Sequence, residues 1–253
     1  ITKDYGNHQG VFDVNFTVEK GEVLGFLGPN GAGKTTTIRQ LMGFIKPDQG
    51  TVHIQGMDCF KNAPEVQAQL GYLPGEIAFM DDMTGMDFIE FVANMKNIQD
   101  MSKAKELIEF LELNPKNKMK KMSKGMKQKI GLVIAFMQDA PILILDEPTA
   151  VLTPQETKKL FRILRKMKEQ GSAIIIITHK LNEVMEISDR VTILRKGQSV
   201  ETVNTSETNE KQLTELMVGR PVTLEIQRPQ CENVFTRLKI VDLSVKAADG
   251  NMA

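Results

Sequence analysis

Gly28-Pro29-Asn30-Gly31-Ala32-Gly33-Lys34-Thr35 sets three glycines, a lysine and a threonine at the spacing of a loop that wraps phosphate. Glycines without a Cβ let successive backbone N–H groups converge on phosphate oxygens, and a helix opening at the lysine adds the positive end of its dipole. Lys34 then reaches the β- and γ-phosphates of a nucleotide, and Thr35 offers a hydroxyl to Mg²⁺. A second group lies far along the chain, where the apolar run Ile142-Leu143-Ile144-Leu145 ends in Asp146-Glu147. Carboxylates at the end of a buried strand stand where open α/β sheets bind ligands. The chemistry divides the pair: Asp146 holds Mg²⁺ through its water shell, and Glu147 polarises the attacking water as general base or orienter. Taken alone, an acidic pair after a strand is more often a solvated turn. The phosphate loop tips the balance toward catalysis.

Such groups need a scaffold. Alternation through Val14, Phe16 and Val18, a turn at Lys20-Gly21 and the apolar run Val23 to Leu27 predict a β-hairpin arm feeding a buried strand. A helix follows the phosphate loop to about Met42, and Thr51 to Ile54 reads as a strand. From about 75 to 138 helical signals dominate, with starts at Thr84, Ser102 and Lys124, which marks out a helical lobe. Strands at Ile142–Leu145, Ala173–Ile177 and Val191–Leu194 then alternate with helices, so the core is α/β with a mostly parallel, covered sheet. The helix after Pro148 is the best marked: Thr153 caps it, Pro154 takes its first position, Glu156 completes a capping box, and Leu160, Phe161, Leu164 and Met167 form its apolar stripe. A Lys196-Gly197 turn, the strand Ser199 to Val203 and a helix from about Asn209 to Val218 complete a domain over 1–220. Arg228-Pro229 reads as a linker.

Composition narrows the partners. The 253 residues are 41% hydrophobic, enough for one well-filled domain. Lys+Arg and Asp+Glu both number 32, so no overall charge draws the chain to nucleic acid or anionic lipid, and no stable nucleic-acid partner is expected. The lysine run Lys116 to Lys129 reads as a solvated face. Cys59 and Cys231 have no metal-ligand spacing, which suits a reducing compartment. The longest apolar runs are too short to span a bilayer, and Ile1-Thr2-Lys3-Asp4 lacks a signal-peptide core; a membrane role therefore needs a second polypeptide.

These motifs, with others in the same order over nearly all of residues 1 to 220, resemble the ATP-binding-cassette (ABC) ATPases. Met122-Ser123-Lys124-Gly125-Met126 stands where that family carries its LSGGQ signature, with Ser123 and Gly125 matching. His179 resembles the family's switch histidine, and Tyr5, with Val11 beside it, resembles the aromatic contact for adenine. The resemblance implies a P-loop ATPase of ABC type with an antiparallel β arm and a helical subdomain, using ATP and Mg²⁺. It implies a second nucleotide-binding domain, with Gly33 to Thr36 of one copy and Ser123 and Gly125 of the other enclosing the same phosphates. It also implies transmembrane transporter subunits as partners and a peripheral place on the cytoplasmic face of the membrane.

Two positions depart from the family pattern. Gly75 stands where a glutamine is usual, with Glu76 next to it, and Thr153 replaces an aspartate. The part up to about Met137 resembles antibiotic or multidrug export ATPases, while Asp146 to Val218 resembles sugar or nucleoside importer ATPases. Leu238 to Val245 resembles the first strand of another cassette, after a linker beginning near 221; an unrelated edge strand of the same domain is the other reading. A soluble ATPase acting on ribosomes or nucleic acid would carry a basic linker or a coiled-coil insertion. A regulatory module that closes on ATP without turnover would lack hydrolysis.

Overall fold

The computed structural model describes residues 1–222, together with 239 and 241. The linker from 221 and the strand expected over 238–245 otherwise lie outside the described residues. The chain opens with β1 (Lys3–Asp4), β2 (Gly10–Val11) and β3 (Val23–Leu27), followed by α1 (Lys34–Leu41), β4 (His53–Ile54), β5 (Met57–Asp58), α2 (Ala63–Ala68) and β6 (Leu70–Leu73). The helical lobe contributes α3 (Gly85–Met95), α4 (Ser102–Phe110) and α5 (Lys124–Phe136). The α/β alternation resumes with β7 (Ile142–Asp146), α6 (Pro154–Glu169), β8 (Ala173–Ile177), α7 (Leu181–Ile187), β9 (Arg190–Arg195), β10 (Gln198–Asn204) and α8 (Glu210–Val218).

The main sheet runs β10-β9-β3-β8-β7-β6, parallel throughout except for β10, which turns back antiparallel on β9. Its centre is apolar on both faces, as a sheet covered by helices on each side requires. Successive side chains go to opposite layers: Leu143, Leu145, Ile174 and Ile176 join the core that contains α3, α5 and α6, whereas Ile144, Ile175 and Ile177 pack with Ile38 and Leu41 of α1. Each fully buried isoleucine or leucine contributes roughly 1.5–3 kcal/mol. The register Leu143↔Ile174 and Val23↔Ile174 brings the ends of β3 and β7 to the same edge, and this delivers the phosphate loop and the acidic pair to one place.

Local signals set several elements as expected. Thr153 and Glu156 form the capping box of α6, and Thr84 and Asp87 form that of α3. Ser123 caps α5, its hydroxyl accepting from the Met126 N–H at 3.2 Å. The helical lobe meets the sheet where α5 crosses β6. A Cβ on Gly71 would stand 2.2 Å from the carbonyl oxygen of Ala135, so only glycine allows that backbone approach.

The arm differs from expectation. Among the described residues no strand forms over 14–18; the antiparallel pair is β1–β2, and Val14 exchanges two hydrogen bonds with Ile1 instead. The apolar alternation there serves packing, since Phe16 lies 5.2 Å from Phe26. The strand expected from Thr51 is reduced to β4, which pairs with β5 around Gln55 and Gly56, both at positive φ.

Candidate functional site

The loop from Gly28 leaves β3 and enters α1 through Gly33, whose φ of 105° caps the helix in a conformation open to glycine. A Cβ there would also stand 2.5 Å from Val11 Cγ1. The Lys34 ammonium donates to the carbonyls of Gly28 at 2.6 Å and Pro29 at 3.1 Å. Of its three donors, two draw the loop around itself and one remains for a ligand oxygen. Burial lowers the Lys34 pKa, against the pull of Glu147 and Asp146.

A cleft of about 1140 Å³ opens over this loop. Asn30, Gly31, Ala32, Gly33, Lys34, Thr35 and Thr36 line it together with Gly75, Asp146 and Glu147. Tyr5, about half exposed at 54%, also lines it, as do Phe12 and the turn Lys196-Gly197. Val11 does not: it is fully buried, and its neighbours Gly10 and Phe12 line the cleft instead. The Lys196-Gly197 turn was legible only as a turn. It proves to be a tie, since the Gly197 carbonyl accepts from Phe12 N–H at 2.6 Å and its N–H donates to the Ala32 carbonyl at 3.0 Å.

The acidic pair sits where the strand end predicts. Burial, then the charge of Glu147, holds the Asp146 carboxyl above the usual carboxylate range, while Lys34 and the Gly75 N–H pull it down. Glu147 follows with φ 48°, a left-handed conformation that is costly for a non-glycine residue. Its Oε1 accepts from Nδ1 of His179 at 2.9 Å, so the histidine expected to act with it touches it. Its Oε2 is buried without a partner among the described residues, a group left to bind something that enters the cleft.

The two departures have distinct placements. Gly75 lies against Asp146, close enough that a Cβ would stand 3.2 Å from its Oδ2, while Glu76 is exposed and outside the cleft lining. Thr153 is spent on capping α6. Ser123 and Gly125 lie at the start of α5 and do not line this cleft. The structure therefore joins the phosphate loop, Asp146, Glu147 and His179 within one domain and leaves the serine-glycine pair outside. Gln128, Thr149, Lys180 and Glu183 secure the Glu147 loop; Gln128 and Lys180 fall within segments that resemble the family, but none of these contacts was legible in the sequence.

A glycine loop around a lysine, a strand-end carboxylate pair and a histidine bonded to one of its carboxylates, on a parallel sheet, define a nucleotide-binding cassette with a P-loop. The family described as "ABC transporter" matches residues 11–150, and the chain belongs to it. It is 34% identical over 262 aligned positions to a nucleoside import ATP-binding protein of Lactococcus lactis subsp. cremoris, covering 100% of this chain and 52% of that protein. It is 36% identical over 206 positions to a bacitracin transport ATP-binding protein of Bacillus licheniformis, covering 80% of this chain and 67% of that protein. Importer and antibiotic-transport relatives, the two kinds that the halves resemble, are thus both found. A solved ATP binding subunit of an ABC transporter superposes with a TM-score of 0.77 at 26% identity, covering 86% of this chain and 95% of that one. The chain spans about half the length of the importer relatives it matches.

Proposed function

We propose that the chain binds MgATP in the cleft over Lys34 and hydrolyses it, with the energy driving solute transport through a separate membrane-spanning partner. The observation that carries this reading is the meeting of Lys34, Asp146 and the Glu147–His179 pair at one cleft of nucleotide size. The loop N–H groups and Lys34 hold the phosphates, Tyr5 offers a face to the base, and Glu147 polarises water in line with the γ-phosphate while His179 orients it. Tyr72, on β6 next to this edge, feels the charge of Asp146.

The residues fit Mg²⁺. Two carboxylates face one lysine, and a divalent ion shared with phosphate oxygens balances that excess. Thr35 and Asp146 would hold it, and it would neutralise charge on the β- and γ-phosphates. Among the described residues no group of three or more His, Cys, Asp or Glu could hold a metal alone, which agrees with an ion that needs the nucleotide as co-ligand. The raised pKa of Asp146 has a consequence: its stabilising contribution is complete below the ordinary value of 3.8 and is lost as pH rises through the folded value. A cation on the ionised carboxylate counters that loss at neutral pH.

One copy makes half a site. Ser123 and Gly125 face no phosphate in their own domain, so two cassettes meet head to tail and each closes over nucleotide bound by the other. ATP should therefore strengthen dimerisation, most of all in Glu147→Gln, where hydrolysis no longer releases the pair. Sedimentation of that variant with and without MgATP reads this out. Ser123→Arg, which sets a bulky cation at the facing phosphates, should abolish the dimer; a monomer at saturating nucleotide without that substitution defeats the composite site.

Coupling needs a surface on the lobe. Among the described residues no helix is long and apolar enough to cross a membrane, so the membrane step belongs to another segment or chain. The stretch from Gly75 to Phe91 is the candidate: Met80 is 48% exposed, and Ile77, Phe79 and Met83 are partly buried against the core of the lobe. Asp81 and Asp82 at its rim pair with Lys127 and Lys120. Cross-linking from Met80→Cys should capture co-expressed transmembrane subunits, and cross-links confined to the opposite face would remove this surface from the role. The chain then works peripherally, at the cytoplasmic face of the membrane.

A further inference from the structure

Glu147 holds a left-handed backbone at φ 48° directly before Pro148, and a residue of that type stays there only if its surroundings over-determine it. Besides the Glu147 N–H bond to the Ile177 carbonyl and the His179 bond to its carboxylate, two sets of side-chain contacts hold the loop. On one side the Thr149 hydroxyl donates to Glu183 Oε2 at 2.5 Å, and Lys180 Nζ bonds the Thr149 carbonyl at 3.1 Å and Glu183 Oε1 at 2.9 Å. These groups are local to the β7 and β8 ends and fix the loop beyond Pro148. On the other side a single side chain reaches over from the helical lobe. Gln128, only 8% exposed on α5, donates from Nε2 to the carbonyls of both Glu147 and Pro148 at 3.3 Å.

We propose that Gln128 is a positioning residue for hydrolysis: its amide, carried on the helix that begins at Ser123, anchors the backbone of Glu147 in the conformation that aims its carboxylate into the cleft. The inference rests on the reading of Glu147 as the group that polarises water. Both Nε2 protons are committed to the two carbonyls. The same helix carries the end that faces a second nucleotide, and Gln128 is thereby the direct link between that end and the catalytic carboxylate of its own domain. Misplacing a reacting group by about 1 Å can cost 10²-fold in rate, so an anchor of two long hydrogen bonds is enough to matter.

Gln128→Met keeps the length and unbranched shape of the side chain and removes both donors. In the full chain kcat should fall about 10- to 100-fold while the dissociation constant for ATP stays within about 2-fold, because Lys34 and the loop floor are untouched. In a Glu147→Gln background the same substitution should add less than about 2-fold, since there is no carboxylate left to aim. A merely structural loss on α5 would instead lower both backgrounds alike. Amide exchange supplies a readout independent of turnover: the Glu147 and Ala150 N–H groups, bonded to the carbonyls of Ile177 and Glu147, should lose protection while those inside α5 keep it. Unchanged kcat, equal losses in both backgrounds or unaltered exchange at Glu147 and Ala150 would each overturn the proposal. Absence of turnover in the unsubstituted chain under dimerising conditions would overturn the reading of Glu147 first, and this proposal with it.

Discussion

Glu147→Gln will keep MgATP bound and slow hydrolysis by about 10² to 10⁴, the range for removal of a placed acid–base group. The substitution preserves size, and an amide oxygen in the place of Oε1 can still accept from His179. What it removes is the second carboxylate oxygen, Oε2, which is buried and has no partner among the described residues. Single-turnover hydrolysis at saturating nucleotide separates chemistry from binding. Normal turnover in this variant would take Glu147 out of its role.

Lys34→Ala acts earlier, on binding itself. The ammonium bonds the Gly28 and Pro29 carbonyls and keeps one donor for phosphate, so its removal loosens the loop and strips a charge-assisted contact. A contact of that kind is worth about 1.5–3 kcal/mol, so affinity should weaken by about 10- to 100-fold, with a further loss from the slack loop. Lys34→Arg should recover little, because a planar guanidinium cannot bridge two adjacent carbonyls and a phosphate as a compact ammonium does. Equilibrium binding of a fluorescent ATP analogue measures both variants, and wild-type affinity in Lys34→Ala would refute the phosphate-loop assignment.

What the sequence disclosed and what it withheld divide by the range of the interaction. The caps at Thr84, Thr153 and Asn209 and the apolar strands over 142–146 and 173–177 depend on residues within a few positions, and each lies where it was expected. The glycine loop and the acidic pair are local too, and parallel register then brings them together. The arm over 14–18 failed because alternation reports one buried face and says nothing of a pairing partner. Val11 shows a related limit: nearness to Tyr5 in sequence does not tell that its side chain is buried, where a Cβ on Gly33 would meet it. The contacts of Gln128 and of the Lys196-Gly197 tie were invisible because their partners are 19 or more positions away; the family-like run from Ser123 to Gln128 marks the glutamine but not what it touches.

The meeting of Gly71 and Ala135 sets how closely α5 can lie against β6. It falls near the far end of the helix, while Ser123 sits twelve residues away, about 18 Å at 1.5 Å per residue. A side chain larger than hydrogen at position 71 would therefore wedge the helix off the sheet, and a tilt of about 10° there would displace its serine tip by roughly 3 Å. The placement of Ser123 is thus sensitive to one glycine on a strand that it does not touch in sequence.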